Sequence, residues 1–368
     1  MALSKPLRRG LPICYNSEYY MKVLIIAGGQ GTRLWPLSRT SQPKQLQTLL
    51  SKKSLLQETA DRVTSAVSLS DIYIVVSDNF QLSEVRKQLP NIPKQNIVQE
   101  PMAKNTAAAI CYGAALLAKN GFLEETMLIL AADHIIKNSE TLITATKLAD
   151  KFLITNPNKL ITFGIKPTYA ETGYGYIEQG TEISSGVYSV KSYKEKPQKE
   201  MAEEYIKDGK YLWNGAIFMW KVKTILEHFN KYSPEHNSII KAVQLNEDLT
   251  VAYGKIKNIS IDYAISEKDP DLVVMPIDLD WADIGNWKTV RDLLQKNPGE
   301  NAVEGQHVEL DTSNCLILNR SGRLIATVGI DNLIIVDLPD VLLICPADRA
   351  QDVKKIVDSL DETHKSKK

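Results

Sequence analysis

Cysteine is scarce in this sequence. There are four among 368 residues (Cys14, Cys111, Cys315 and Cys345), and none forms a C-x-x-C pair. Three sit in apolar or alanine-rich runs, so they read as buried free thiols, which fits a reducing compartment, the cytoplasm. Neither charge sign is in excess, with 44 basic residues against 44 acidic ones. No global field therefore draws in nucleic acid or an anionic membrane surface, and any anion site has to be local. No apolar run reaches the roughly 18 residues of a membrane-spanning helix. Residues 1–20 carry early cations but no apolar core, which argues against a signal peptide. They read as a mobile extension or an upstream start, because Met21 directly precedes the first convincing strand. No segment is of low complexity, and no Ser/His/Asp or Cys/His set stands out for covalent catalysis.

What is present is ample apolar material, 43% of the chain, enough for one large domain or a large one with a small companion. From residue 22 to 164 apolar runs of strand length alternate with stretches of helical spacing. Lys22–Ala27, Asp71–Ser77, Asn96–Gln99, Met127–Ala131 and Leu160–Gly164 read as strands. Ser54–Val67, Phe80–Leu89, Asn105–Lys119 and Ser139–Ile154 read as helices. This rhythm predicts an α/β fold, a Rossmann-like, mostly parallel sheet flanked by helices, with ligands at the edge where the strands end. After residue 165 the rhythm loosens into β segments near GYGYIEQG, VYSVKSYKEKP and WNGAIFMWK, with helices near 198–208 and 222–231. Trp287–Leu294 reads as the helix closing a catalytic domain over 21–295. Beyond KNPGENA, short strands at even spacing over 302–360 predict either a small β-rich domain or a few solenoid coils, before a helical tail.

The first strand runs into AGGQGTRLWPLSRTSQPKQ, where a glycine turn is followed by Arg33, Arg39 and Lys44. It is not a Walker loop, which needs G-x-x-x-x-G-K-[ST], and Leu34 stands where a dinucleotide fingerprint needs its third glycine. A turn of backbone N–H groups flanked by cations is instead built to hold the phosphates of a nucleotide. A plain strand-to-helix turn with surface cations is the blander alternative. Two acids stand after apolar runs, Asp133 in LILAADH and Asp283 in DLDWADIGNW, with Asp278 and Asp280 as fallbacks for the second. Either fits a Mg2+ ligand, but either also fits a helix cap or loop acid. His134 reads as a positioning or core residue. ETGYGYIE, KEKP and LWNGAIFMW follow, and each has a bland reading, a hairpin with paired aromatics, a solvated charge run and a satisfied buried amide, while IDYAISEK gives Asp262, which could orient a hydroxyl or Lys196.

AGGQGTRLWPLSR followed by PKQ resembles the signature of the sugar-1-phosphate nucleotidyltransferases. Its Trp-Pro-Leu-Ser-Arg form is most similar to the mannose-1-phosphate guanylyltransferases, and the later motifs agree in order. The resemblance implies a nucleotide-diphospho-sugar transferase fold with a short C-terminal β-helix. It also implies transfer of GMP from GTP to mannose 1-phosphate, giving GDP-mannose and pyrophosphate. By the same resemblance Ala27, Gly28, Gly29, Gly31, Thr32, Arg33 and Lys44 bind the nucleotide. Asp133 and Asp283 hold Mg2+, and Gly173, Tyr174, Gly175, Glu195, Lys196, Asn214 and Asp262 bind the sugar phosphate. The family pattern is broken at Ala131 and Ala170, each in place of a proline, and at Gly215-Ala216 after Asn214, which removes a hydroxyl near the sugar. A nucleotidyltransferase for another base or sugar and a non-catalytic nucleotide-sugar-binding homologue stand as alternatives. An attached isomerase does not fit, because the chain after residue 300 is short and His307 and His364 are not spaced as a metal set. The exposed short strands of that unit suit either a homodimer contact or a brace for the sugar half.

Overall fold

The computed structural model describes residues 21–29 and 31–367, so the expected extension 1–20, with Cys14, lies outside the described residues. Eleven strands precede residue 290: β1 Met21–Ala27, β2 Ile72–Val76, β3 Ile97–Gln99, β4 Thr126–Ala131, β5 His134–Ile136, β6 Ile161–Ile165, β7 Gly175–Ser184, β8 Val187–Glu195, β9 Tyr211–Lys221, β10 Val273–Ile277 and β11 Trp281–Asp283. Nine of them form one sheet in the order β3-β2-β1-β4-β9-β6-β10-β8-β7.

The parallel character expected holds for β3-β2-β1-β4 and for β6-β10. The departure is β9, which runs antiparallel between β4 and β6. Its alternating side chains explain the central place. Ile217 and Met219 enter the core on one face of the sheet, and Phe218 and Trp220 enter the core on the other. β1 is divided in the same way, with Val23 and Ile25 on one side and Leu24 on the other.

The helix Asn105–Lys119 lies on the Leu24 face, and its alanines let it come close. At Gly113 a Cβ would stand 2.6 Å from Leu24 Cδ2, so a larger residue there would lift the helix off the strand. That close seat sets the position of the helix N-terminus, Asn105 and Thr106, at the strand-end edge of the sheet.

Six further strands build the C-terminal unit: β12 Ala302–Glu304, β13 His307–Leu310, β14 Leu316–Asn319, β15 Ile325–Val328, β16 Leu333–Asp337 and β17 Leu342–Pro346. β12, β14 and β16 pair in parallel, as do β13 and β15, so these are stacked solenoid coils, with antiparallel β17 closing the stack. The unit shares one apolar core with the segment after the glycine turn. Leu34, Trp35, Leu37, Ile284 and Trp287 pack with Leu316, Leu318, Val336 and Val353. This packing places it against the glycine-turn side of the large sheet, where a homodimer contact and a brace for the sugar half were the two roles left open by the sequence.

Candidate active site

Both candidate metal acids are carried on one two-stranded ribbon. Asp133 follows β4 and leads into β5; Asp283 ends β11. The two strands pair antiparallel, with Asp283 opposite His134. Trp281 on β11 donates its indole N–H to His134 Nδ1 at 3.3 Å and stands edge-on to the ring. Two carboxylates 150 positions apart in the chain are thus presented side by side.

Between them sits a cation. Lys44, 5% exposed, places Nζ 2.9 Å from Asp133 Oδ2 and 3.3 Å from Asp283 Oδ1, and donates to the Ile284 carbonyl oxygen at 2.5 Å. Burial alone would lower the Lys44 pKa, but the two carboxylates hold it above its usual value. Burial likewise would raise the Asp133 carboxyl, and the Lys44 ammonium holds it below the usual range. The fallback acids lie apart from this cluster, Asp280 paired with Lys137 at 3.5 Å.

Two adjoining cavities flank this cluster. One, of about 270 Å3, is lined by Ala27, Gly28, Gly29, Glu100 and Asp133. The other, of about 370 Å3, is lined by Gly173, Tyr174, Gly175, Glu195, Lys196, Asn214 and Asp283. Asn105, Thr106, Ala216 and Asp262 line both. The 15-residue helix Asn105–Lys119 therefore begins at the junction, where its dipole favours an anion, while its Thr106 and Ala107 N–H groups donate to Asn105 Oδ1 and to the Ile259 carbonyl oxygen.

The second cavity gathers every residue expected at the sugar phosphate. Asp262, on a single π-helical turn, accepts from Tyr193 Oη at 2.6 Å and Asn214 Nδ2 at 2.9 Å. Asn214 Oδ1 accepts in turn from Thr162 Oγ1 at 3.1 Å and the Ala216 N–H at 3.2 Å, so the amide is locked in one orientation. Lys196 reaches Glu195 Oε1 at 2.6 Å, while Glu195 Oε2 is buried with no hydrogen-bond partner among the described residues. Gly175 faces Glu195 across the β7–β8 pair, and a Cβ there would stand 2.5 Å from that second oxygen. Tyr174 is held edge-on by Trp213 and Trp281.

The glycine turn divides. Ala27, Gly28 and Gly29 line the first cavity; Gly31 and Thr32 stand behind it, at the start of the turn Thr32–Leu34. Arg33 is exposed and bonds to no described residue. Arg39, the third cation after the turn, is committed elsewhere: its guanidinium is bidentate on Asp340 of the C-terminal unit, both bonds 2.8 Å.

Sequence reasoning missed Glu100. It is 4% exposed, lines the first cavity and accepts from Tyr253 Oη at 3.1 Å. Burial pushes its carboxyl up to about 8. An acid before a proline at the end of a three-residue strand gives no local sign of this. The helix N-terminus at Asn105 was missed too, although the helix itself has the expected bounds.

Among the described residues no group of three or more His, Cys, Asp or Glu is placed to hold a metal ion. The pair Asp133 and Asp283 does fit one: two hard oxygen donors already converge on a single cation, and Mg2+ takes one or two carboxylates with substrate phosphates completing its shell.

A family model described as "Nucleotidyl transferase" matches residues 22–298, and one described as "MannoseP isomerase/GMP-like beta-helix domain" matches 305–360. A mannose-1-phosphate guanylyltransferase of Klebsiella pneumoniae is 35% identical over 359 residues, covering 93% of this chain and 74% of its own. Mannose-1-phosphate guanylyltransferase RfbM of Salmonella typhimurium is 37% identical, covering 92% and 72%. A solved structure from Thermus thermophilus, described as a mannose-1-phosphate geranyltransferase, superposes with a TM-score of 0.84 at 32% identity, covering 92% of this chain and 98% of that one. The chain belongs to the nucleotidyl transferase family, among the mannose-1-phosphate guanylyltransferases.

Proposed function

We propose that the chain transfers GMP from GTP to mannose 1-phosphate, releasing pyrophosphate and forming GDP-mannose. The observation that carries this reading is a pair of adjoining cavities, joined at Asn105, Thr106, Ala216 and Asp262, of which one is lined by Asp133 and the other by Asp283, the two acids that share the Lys44 ammonium. A reaction between two phosphates needs two adjoining pockets and a concentrated positive charge where they join.

The sugar phosphate lies in the larger cavity, with Lys196 and the N-terminus of the helix Asn105–Lys119 facing its charge. The nucleotide lies along Ala27, Gly28 and Gly29, whose backbone allows close approach. An oxygen of the monoester attacks the α-phosphorus in line, and the bond to the bridging oxygen of the β-phosphate breaks. No general base is needed, since the second pKa of a phosphate monoester is about 6. Asp133 and Asp283 would hold Mg2+, which when bound supplies charge neutralisation on the phosphates. Lys44 and Arg33 hold the leaving pyrophosphate, and the rate comes from positioning and charge.

Glu100 supports guanine as the base. The Watson–Crick edge of guanine presents two N–H donors side by side, and a carboxylate accepts both. Glu100 is protonated in the free protein at neutral pH, because burial raises its carboxyl to about 8. Taking up guanine requires the ionised form, so the KM for GTP is expected to fall as pH rises toward about 8 and to level off above it. Glu100→Gln should flatten that profile and weaken the preference for GTP, because a buried site that loses its matching acceptor stops rejecting other bases. A KM for GTP that is level across this range in the wild type would remove Glu100 from base reading.

Pyrophosphate release measured with a panel of nucleoside triphosphates against mannose 1-phosphate and glucose 1-phosphate tests the whole reading. The expected result is turnover with GTP and mannose 1-phosphate well above every other pair. Turnover centred on another pair, or none at all, overturns it.

A further inference from the structure

We propose that the C-terminal solenoid unit sets the position of the nucleotide-binding turn, with Asp340 as a positioning residue that acts through Arg39. The inference rests on the reading of that turn as the GTP site.

The contact is built, not incidental. The Arg39 side chain is 11% exposed, and its Nη1 and Nη2 donate to the two oxygens of Asp340 at 2.8 Å each. Its Nε donates to the carbonyl oxygen of Pro36, also at 2.8 Å, so one guanidinium ties the backbone of its own segment to the other unit. A bidentate fork constrains orientation as well as distance. A second cation, Lys367, reaches Asp340 Oδ2 at 2.8 Å, so the same carboxylate gathers the turn Glu362–Lys367. Trp35, four residues before Arg39, is held from both sides. Its indole N–H donates to the Lys367 carbonyl oxygen at 2.7 Å, and its own carbonyl accepts from buried Trp287 Nε1 at 2.7 Å.

The held segment has no slack toward the reaction centre. A Cβ at Gly31 would stand 2.9 Å from Ser38 Oγ and 2.4 Å from Lys44 Cβ, so the turn, Ser38 and Lys44 are in direct packing contact. Ser38 neighbours Arg39, and Lys44 holds Asp133 and Asp283. A shift at Arg39 therefore reaches the paired carboxylates through Ser38, the turn and Lys44 in succession. The pair is bidentate and shared with Lys367, so its loss also lowers stability modestly, and it is the split between the two KM values that separates positioning from stability.

The test compares Asp340→Asn, Asp340→Glu and Arg39→Lys with the wild type in pyrophosphate release. KM is measured separately for GTP and mannose 1-phosphate, alongside Tm. Asp340→Asn keeps the shape and removes the charge. Arg39→Lys keeps the charge and removes the fork. Each is expected to raise the KM for GTP about tenfold, less than the roughly 100-fold cost of a misplacement near 1 Å. The KM for mannose 1-phosphate should stay near its wild-type value with at most a modest fall in Tm, and Asp340→Glu should recover most of the loss in GTP binding. Unchanged KM for GTP, equal rises for both substrates, or a loss confined to Tm would each overturn the inference. A wild-type protein with no turnover at all would instead overturn the proposed function.

Discussion

Lys44→Ala is expected to lower pyrophosphate release by about 10²–10³-fold, the cost of removing one preorganised charge from a developing anion. The variant also reports on a second role. Among the described residues the Lys44 ammonium is the one positive group touching both Asp133 and Asp283, and it is almost wholly buried. Deleting it leaves two carboxylates facing each other with nothing between them. The metal-free variant should therefore have a lower Tm than the wild type, and added Mg2+ should raise that Tm more than it raises the wild type's. Ligand that binds only the folded state stabilises it in proportion to its affinity, so the larger shift reads out a vacated cation site. Thermal melts with and without Mg2+, beside a turnover assay, check both halves. Wild-type turnover in Lys44→Ala would remove the lysine from the mechanism, and equal Mg2+ shifts would deny that lysine and metal share the acids.

Gly31→Ala should be the most damaging single-methyl change in the turn. Gly31 has φ +64°, in the left-handed region, which costs an alanine roughly 1–2 kcal/mol. Its added Cβ would stand 2.4 Å from Lys44 Cβ, an atom next to the backbone that cannot swing away. Overpacking of this kind costs about 1–3 kcal/mol more. Lys44 is the residue displaced, so turnover and stability are expected to fall together. Gly29→Ala is the contrast. Nothing stands within 4 Å of a Cβ there, so its Tm should hold, and any loss should appear in GTP binding, since Gly29 lines the cavity proposed for the nucleotide. A Gly31→Ala protein with wild-type Tm would refute the packing argument.

Periodicity carried much of the architecture. The helix Asn105–Lys119 has its expected bounds, and β1, β2 and β4 differ from the expected strands by a residue or two. These are long, regular segments whose burial on one or two faces is written into local spacing. The site was legible only as separate motifs, because no local rule says that Asp133 and Asp283 share a ribbon. Arg39 shows the limit most clearly. Between Arg33 and Lys44 it reads as one more phosphate cation, yet its partner Asp340 lies 301 positions away. Glu100 failed to show for a related reason: burial decided its role, and burial there comes from Tyr253 and the walls of a cavity assembled from distant segments. β12 and β13 are short and partly polar, and only stacking against later coils makes them strands.

The pairing of β5 with β11 has a dynamic corollary. Asp283 ends one rail of this ladder and Asp133 directly precedes the other, so the ladder sets how the two carboxylates stand relative to each other. Opening that ladder frees Asp283 from its place beside Asp133 in a single event, and residues 134–136 and 281–283 should trade their amide hydrogens with solvent as one unit.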